Sequence, residues 1–179
     1  MIDLDCGWRT DRLSLEPLSA AHATELAPLL DDRCLHEFTG GAPLSAAALT
    51  ARYARLAVRR SPDGDQIWGN WVLRARVTGE AAGTAQATLP AGGPAAGPAE
   101  VAWVVVRAAQ GRGYAKEAAR SLVAALQAAF RHHRYVRLAP ARDAIWKTLP
   151  DGSRTIARRS PYGVSKGSSR ATAPAASAR

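Results

Sequence analysis

Two kinds of strand pattern occur in the first 110 residues of the chain. Apolar and polar side chains alternate at 12–16 and 67–77, which predicts two strands that each bury one face. In the second strand, Asn70, Arg74 and Arg76 lie on the face predicted to be solvated. A turn at 78–80 predicts a hairpin whose second strand covers 82–89. Residues 101–106 are apolar at nearly every position, which is typical of a strand covered on both faces.

Apolar residues spaced three or four positions apart predict three amphipathic helices. Ser19 and Ser45 are expected to cap the first two, because a serine hydroxyl accepts a hydrogen bond from a free N–H at a helix start. Pro28 is expected to break or kink the first helix. The third helix covers 116–130. Its predicted inward stripe is Ala115, Ala118, Ala119, Leu122, Leu126 and Phe130, with Lys116, Glu117 and Arg120 facing solvent.

A glycine-containing turn, Gln-Gly-Arg-Gly-Tyr-Ala at 110–115, joins the last strand to the third helix. The first N–H groups of a helix lack intrahelical partners, and the helix dipole places positive charge there. The junction is therefore predicted to bind an anion, with phosphate the best candidate. A P-loop needs four residues between its glycines, and a dinucleotide fingerprint needs a glycine where Lys116 stands, so the spacing excludes both.

The remaining pattern, Gln-x-x-Gly-x-Ala, resembles the coenzyme A pyrophosphate loop of the GCN5-related N-acetyltransferases, the GNAT family. Residues 10–18, Thr-Asp-Arg-Leu-Ser-Leu-Glu-Pro-Leu, resemble the Thr-Glu-Arg-Leu-x-Leu-Arg-Pro-Leu opening of one branch. That branch acetylates ribosomal-protein N-termini and many small amines. Further short segments between 70 and 103 follow in the order of its central strands. The resemblance covers about residues 9–129, and the last fifty residues do not share it.

The resemblance implies an α/β fold, the GNAT acyl-CoA N-acyltransferase fold, with helices flanking a central, mostly antiparallel mixed sheet. The domain is expected at 9–139, with its C-terminal strands missing or disordered. The implied reaction transfers acetyl from acetyl-CoA, the cosubstrate, to a primary amine of a small molecule or a protein N-terminus, by direct attack in a ternary complex. The residues implied to bind the cosubstrate are Val104, Val105 and Val106 along the pantetheine arm, and Gln110, Gly111, Arg112, Gly113, Tyr114, Ala115 and Lys116 around the pyrophosphate.

Acetyl transfer needs a neutral amine, yet an alkyl amine with a pKa of roughly 10 is protonated at neutral pH. The resemblance implies that Glu100, at the start of the thioester strand, accepts this proton directly or through water. It also implies that a backbone N–H near Val105 holds the oxyanion, where family members open the sheet with a bulge. Family members commonly protonate the leaving thiolate with a tyrosine from a later segment. In that segment only Tyr135 and Tyr162 are available, and neither lies in a recognisable motif, so no general acid is assigned.

Charge divides the chain near the end of the resemblance. Residues 130–179 hold 11 basic and 2 acidic residues of a chain with net charge +9, so the first 129 residues are neutral. The basic, low-complexity tail at 140–179 has three interpretations. The first is a nucleic-acid-binding arm, and the second is a disordered extension without a partner. The third, the favoured hypothesis, is the product of a shifted reading frame. The abrupt change in composition to Arg, Pro, Ala, Ser and Gly motivates this third hypothesis.

A cytoplasmic protein without a membrane partner is expected, because the chain has neither a leader pattern nor a long apolar window. Cys6 and Cys34 are expected to be reduced thiols, and no metal is expected, since 132–133 (His-His) most simply form a basic surface pair. Nucleic acid is disfavoured as a partner, and the sequence specifies neither the acceptor amine nor the oligomeric state. The main alternative to an enzyme is a truncated or frameshifted, inactive GNAT-fold protein that at most binds acyl-CoA. A nucleic-acid-binding protein is a distant third.

Overall fold

The computed structural model describes residues 3–39, 42–93 and 96–129, together with the backbone of 145–148 and 154–157. The first three ranges contain one sheet and the helices that cover it. Within these described ranges, no helix is both long enough and apolar enough to cross a membrane.

Five strands form the sheet, in the order in which they occur along the chain. They are β1 (Trp8–Arg9), β2 (Leu13–Pro17), β3 (Gln66–Ala75), β4 (Ala81–Pro90) and β5 (Glu100–Val105). All four neighbouring pairs are antiparallel. The predicted hairpin between β3 and β4 and the mostly antiparallel α/β fold are therefore confirmed.

The described residues form the helices α1 (His22–Leu30), α2 (Arg33–Thr39), α3 (Ala46–Ala57) and α4 (Tyr114–Ala129). Three of them, α1, α3 and α4, cover the two faces of the sheet. Buried side chains of α1 and α3 pack together on one face, and the buried stripe of α4 packs on the other. The core of that stripe is Ala118, Leu122 and Leu126, all fully buried, as the spacing predicted.

Two further strands, β6 (Ile145–Thr148) and β7 (Arg154–Ala157), pair antiparallel with each other in a separate sheet. Both lie within the segment that the sequence assigned to a basic tail. The domain boundary at 139 and the interpretation of the tail stay predictions. The two candidate tyrosines and the His-His pair lie outside the described residues.

Strand β3 is buried on both faces. Its central residues, 68–73, are all buried, including the polar Asn70. Trp71 packs in the cluster that contains α4, whereas Val72 packs in the cluster that contains α1 and α3. The prediction of a solvated face was wrong, because helices cover the face that carries Asn70. The predicted end of the strand was also wrong, since Val77 lies in the turn and is 94% exposed.

Strand β5 differs from its prediction in the opposite sense. Residues 101–104 are only half-buried, and burial is complete only at Val105 and the following Val106. Within the described residues β5 is the last strand of the sheet, with β4 on one side of it. The apolar run indicated that the strand packs, but it could not show which described elements cover each side of it.

The helix starts follow the sequence in one case and not in the other. Ser45 caps α3 as predicted, since its hydroxyl accepts a hydrogen bond from the Ala48 N–H at 3.2 Å. The prediction for Ser19 was wrong: α1 begins at His22, and the Ser19 N–H donates to His22 Nδ1 at 3.0 Å. Helix α1 also continues two residues past Pro28 and is not broken there, because proline has a helical φ and removes only one N–H.

An arginine on β3 fastens α1 to the sheet. Arg74 Nε donates to both carboxylate oxygens of Glu16 at 3.0 Å, while its Nη1 and Nη2 donate to the two oxygens of Glu25 at 2.8 and 3.0 Å. The hydrogen bond from Arg74 is the main reason that the pKa of Glu25 lies below its ordinary value, against the opposing effect of burial. The guanidinium pKa is raised in turn, first by Glu25.

Replacing Glu25 with glutamine is expected to flatten the acid limb of the stability curve. Because the folded pKa of Glu25 is lowered, its contribution is complete above the unfolded value of about 4.3 and is lost as pH falls through the folded pKa. The carboxyl is 40% exposed, so solvent screening limits the loss at pH 7 to about 1 kcal/mol. Thermal melts from pH 7 to pH 3 measure this. Glu80→Gln, at an exposed site in the hairpin turn, is the control, and equal curves for both variants would contradict the role of Glu25.

Candidate functional site

The junction between β5 and α4 has the conformation that its glycines predict. A short 3₁₀ turn, Arg107–Ala109, follows β5, and α4 begins at Tyr114. Between them Gly111 and Gly113 have φ values of +76° and +79°, in the region that side chains with a Cβ avoid. The predicted strand, turn and helix start are confirmed.

The start of α4 presents free backbone donors. The first helical hydrogen bond runs from the Glu117 N–H to the Gly113 carbonyl at 3.1 Å. The N–H groups of residues 114–116 precede this bond and so have no intrahelical acceptor. Residues 110–113 are exposed, and a Cβ placed on Gly111 would have open space around it. The junction therefore leaves room for an anion beside the positive end of the helix dipole.

The side chain of Gln110 connects the loop to β5. Its amide Nε2 donates to the Val105 carbonyl at 3.0 Å, and its backbone N–H donates to the Arg107 carbonyl at 3.2 Å. Gln110 thus closes the turn. Because its side-chain amide is engaged in this way, any contact of Gln110 with an anion would have to come from its backbone.

Strand β5 approaches β4 very closely beside the loop. Val105 pairs with Gly83, and the Val106 N–H donates to the Ala82 carbonyl at 3.0 Å. The carbonyl of Val104 lies so near Gly83 that a Cβ there would be 2.0 Å from its oxygen. Backbone groups of successive residues point to opposite edges of a strand, so Val105 faces away from β4. On that edge the Val105 carbonyl accepts the Gln110 amide, so the Val105 N–H is the backbone group there that an extended ligand arm would meet.

A bulge occurs beside Val105, as expected, but it lies on β4. Leu73 pairs with Gly83 and Arg74 with Ala81, so Ala82 is an extra residue in the pairing with β3. The β4–β5 register is continuous from Glu100 to Val105, whose partner Gly83 adjoins this extra residue. A sequence motif can place the strand, but the register depends on how β3, β4 and β5 fit together.

Glu100 and the loop lie at opposite ends of β5. Glu100 is exposed and pairs with Thr88, whereas Val105 adjoins the turn. Five residues of extended strand separate them, which is roughly 17 Å. The structure therefore does not bring Glu100 into contact with the glycine loop at 110–113. A role for it needs an acceptor amine that lies along the strand.

Two residues missed by the sequence interpretation support the loop. Arg12, in the turn before β2, donates from Nη1 to the Arg112 carbonyl at 2.8 Å and from Nε to Glu117 Oε2 at 2.7 Å. Glu117 also accepts from the Thr10 hydroxyl and from the Arg12 N–H. The prediction that Glu117 faces solvent was wrong, because its side chain is 16% exposed. Arg12 and Glu117 are 105 residues apart, so no local spacing could link them.

The Glu117 carboxylate is stabilised in its charged form. Burial would raise its pKa, but hydrogen bonds from the Thr10 hydroxyl and from the Arg12 backbone and guanidinium lower it below the ordinary value of a glutamate. The guanidinium carbon of Arg12 also lies 5.2 Å from the centre of the Tyr114 ring. Two residues of the first turn of α4, Tyr114 and Glu117, thus contact Arg12 in the turn before β2.

Family comparison identifies the chain. The profile of the acetyltransferase (GNAT) domain matches residues 12–157, which is most of the sequence. The chain belongs to the GNAT acetyltransferase family. The match runs past the end of the resemblance at 129 and includes both strands of the small second sheet. No curated protein matches the sequence closely enough to count as a relative.

Solved structures place this GNAT chain among acetyltransferases. A protein from Bordetella pertussis assigned to the GNAT-family acetyltransferases is 28% identical, with a TM-score of 0.54, over 69% of this chain and 73% of that one. A Vibrio cholerae protein assigned as a ribosomal-protein-serine acetyltransferase has 18% identity and a TM-score of 0.56, over 71% and 70%. The microcin C7 self-immunity acetyltransferase, solved with acetyl-CoA and AMP, has 13% identity and a TM-score of 0.52, over 67% and 65%. At these low identities, the last two similarities show only that the chains share a fold.

In this GNAT chain the two basic loop residues are both exposed. Arg112 and Lys116 flank the free N–H groups of the α4 start. Their side chains are placed to add positive charge beside a bound anion without being buried. Their predicted contact with phosphate stays a prediction.

An ion pair joins the segment between β5 and the loop to the α1–α2 connection. Arg107, in the 3₁₀ turn, lies 3.6 Å from Asp32. A cavity of about 250 Å³ lies between α1 and the start of α3, lined in part by Pro28, Asp31 and Leu44. The accessible surface of its lining is more polar than apolar and includes the Asp31 side chain.

Both cysteines are described by the structure. Cys6 and Cys34 are both free and exposed. The Cys6 thiol donates to Asp3 Oδ2 at 3.0 Å, and this hydrogen bond raises the thiol pKa. In the part of the chain that the structure describes, no group of three or more His, Cys, Asp and Glu residues could hold a metal ion.

Proposed function

We propose that this chain is an N-acetyltransferase that transfers acetyl from acetyl-CoA to a primary amine. The observation that carries the proposal is the loop at Gly111 and Gly113, whose positive φ values turn the free N–H groups at the start of α4 outward beside the end of β5. Phosphate oxygens are the ligands that such a helix start binds best. The GNAT family supplies acetyl-CoA as the source of a pyrophosphate and an acetyl group.

The chemistry that follows is a direct transfer. The amine nitrogen attacks the thioester carbonyl carbon, the C–S bond breaks, and the amine loses one proton while the thiolate gains one. Preorganised N–H donors are most effective where negative charge develops, and backbone donors of β5 are suitably placed along the predicted thioester path. Within this proposal Glu100 accepts the amine proton, and Val104 to Val106 hold the pantetheine arm. The acceptor class is a small amine or a protein N-terminus, and the cytoplasmic location stays a prediction.

Titration calorimetry of the full chain with acetyl-CoA tests the cosubstrate site. Micromolar binding is expected. A panel of primary amines and N-terminal peptides, assayed by release of the free thiol, then tests transfer. A folded chain that binds acetyl-CoA and acetylates nothing in the panel would support the inactive, acyl-CoA-binding alternative. A folded chain that does not bind would refute the proposal.

Replacing Glu100 with glutamine is expected to lower kcat/KM at pH 7 by about 100-fold or more, because a general base contributes that much to proton transfer. Acetyl-CoA affinity should not change, since Glu100 lies at the far end of β5 from the loop. The loss should shrink as pH rises toward the amine pKa of roughly 10, where the acceptor is already neutral. Steady-state rates from pH 6 to 10 measure this, and a pH-independent loss would count against Glu100 as the base.

A further inference from the structure

Residues 10–13 form a tight turn that hydrogen bonds hold from within and from β3. The Thr10 N–H donates to the Leu13 carbonyl at 2.8 Å, and the Leu13 N–H donates to the Thr10 hydroxyl at 3.0 Å. Arg76, after β3, donates from Nη1 to the Thr10 and Asp11 carbonyls at 2.8 and 2.9 Å. The Arg76 N–H also donates to the Arg12 carbonyl at 2.9 Å. The sheet therefore fixes the backbone from which the Arg12 side chain projects.

The Arg12 guanidinium divides its donors between two groups. Nε and Nη2 both reach Glu117 Oε2 at 2.7 Å, and Nη1 reaches the Arg112 carbonyl at 2.8 Å. The planar guanidinium cannot move one of these donors without moving the others. Glu117, held also by Thr10, therefore sets the position in which Arg12 captures the loop carbonyl.

Capture of this carbonyl orients the peptide that faces the anion. In a trans peptide the C=O and the N–H point in opposite directions. Holding the Arg112 oxygen toward Arg12 therefore points the Gly113 N–H away from Arg12, toward the open side of the loop. The same contact keeps the oxygen, which carries partial negative charge, away from a bound phosphate. The Cβ that Gly113 lacks would lie 3.4 Å from Arg12 Nη2, so the glycine also leaves space for the guanidinium.

We propose that Thr10, Arg12 and Glu117 form a clamp that fixes the Arg112–Gly113 peptide in the orientation needed to bind the pyrophosphate of acetyl-CoA. The inference rests on the proposed function for the identity of the anion. Arg12 is a positioning residue, since it acts through the loop carbonyl. The clamp gives the Thr-x-Arg opening of the sequence a role, because it carries the two side chains that reach α4.

Two readouts on the ligand-free and ligand-bound full chain test the clamp. Arg12→Ala is expected to weaken acetyl-CoA binding by about tenfold to a hundredfold, the usual value of a hydrogen bond to a charged donor. It is also expected to speed loop exchange, meaning ligand-free amide hydrogen exchange at residue 117, whose N–H donates to the Gly113 carbonyl of the loop at 3.1 Å. Glu117→Gln should weaken binding by a smaller factor. The double variant should lose less than the product of the two single losses, because the residues act as one unit.

Arg74→Ala is the matched control. It removes one positive charge and a comparable ion-pair cluster elsewhere on the same sheet. It should lower the melting temperature while acetyl-CoA affinity and exchange at the loop stay at the wild-type values. If Arg12→Ala does not fold, Arg12→Lys serves instead. Lysine keeps the charge near Glu117 but lacks the fork that reaches both partners, so binding should still weaken at a near-normal melting temperature.

The outcomes separate the clamp from the enzyme proposal. Arg12 variants with wild-type affinity and wild-type loop exchange would overturn the clamp. An equal loss of affinity in Arg12→Ala and Arg74→Ala would overturn it as well, because general destabilisation would then account for both. Faster loop exchange in Arg12→Ala, in a chain whose wild type does not bind acetyl-CoA, would support the clamp as a device that orients the loop and would refute the proposed function.

Discussion

Replacing Gly83 with alanine is expected to destabilise the protein by about 3 kcal/mol or more, the largest effect on stability that the structure predicts. Gly83 lies on β4 with φ at +148°, a conformation that residues with a Cβ rarely adopt. The added Cβ would lie 2.0 Å from the Val104 oxygen, and that oxygen belongs to the backbone. Strands β4 and β5 would therefore have to separate beside the loop. Chemical denaturation followed by circular dichroism measures the loss.

Gly79→Ala is the control for this change. Gly79 has φ at +73° in the hairpin turn, and a Cβ there would meet nothing within 4 Å. The stability loss of Gly79→Ala should therefore reflect only the backbone strain of a left-handed residue, about 1–2 kcal/mol. Equal losses for the two variants would mean that the close approach of β4 and β5 adds nothing to the strain. A larger loss at Gly83, with weaker acetyl-CoA binding, is the expected result, because β5, the proposed thioester strand, must shift.

Replacing Gly113 with glutamate is expected to weaken acetyl-CoA binding by about 100-fold or more, which corresponds to about 2.7 kcal/mol. Gly113 has φ at +79° in the exposed loop before α4. A side chain there strains the backbone and places a carboxylate where the proposed pyrophosphate lies. It also crowds Arg12, whose Nη2 would be 3.4 Å from the new Cβ. Calorimetric titration with acetyl-CoA gives the affinity.

Gly79→Glu provides the matched control, with nearly the same φ and the same added charge, but in the hairpin turn. Its stability loss should resemble that of Gly113→Glu, while its acetyl-CoA affinity should stay within about twofold of wild type, since a distant exposed charge is screened. Wild-type affinity in Gly113→Glu would show that the loop is not the anion site. A parallel loss of affinity in both variants would point to general destabilisation.

Local chemistry explains which elements the sequence predicted well. A serine followed by an apolar helical stripe predicted the cap of α3, and glycines spaced one residue apart predicted the turn before α4. These features depend on residues within a few positions of one another. Ser19 shows the limit of such rules, because its hydroxyl contacts the His22 ring and α1 begins three residues later.

Burial was predicted less well, because it depends on what covers each face. Asn70 on β3 was assigned to a solvated face and is buried beneath helices, while residues 101–104 of β5 were assigned to a covered strand and are half-buried. An alternating pattern reports how polar a face is. It does not report whether another helix packs there or whether the strand lies at the edge of the sheet.

The sequence by itself determined the glycine loop at 110–115, the strand before it and the helix after it. Through the motifs at 10–18 and 110–115 it also determined the family. Each of these depends on the φ preference of glycine, the free N–H groups of a helix start, or a local apolar period. Only the tertiary structure decided that Arg12 and Glu117 meet beside the loop and that Gly83 touches Val104. Those contacts join residues far apart in the chain, and their geometry is set by the packing of α4 and the N-terminal strands on one sheet.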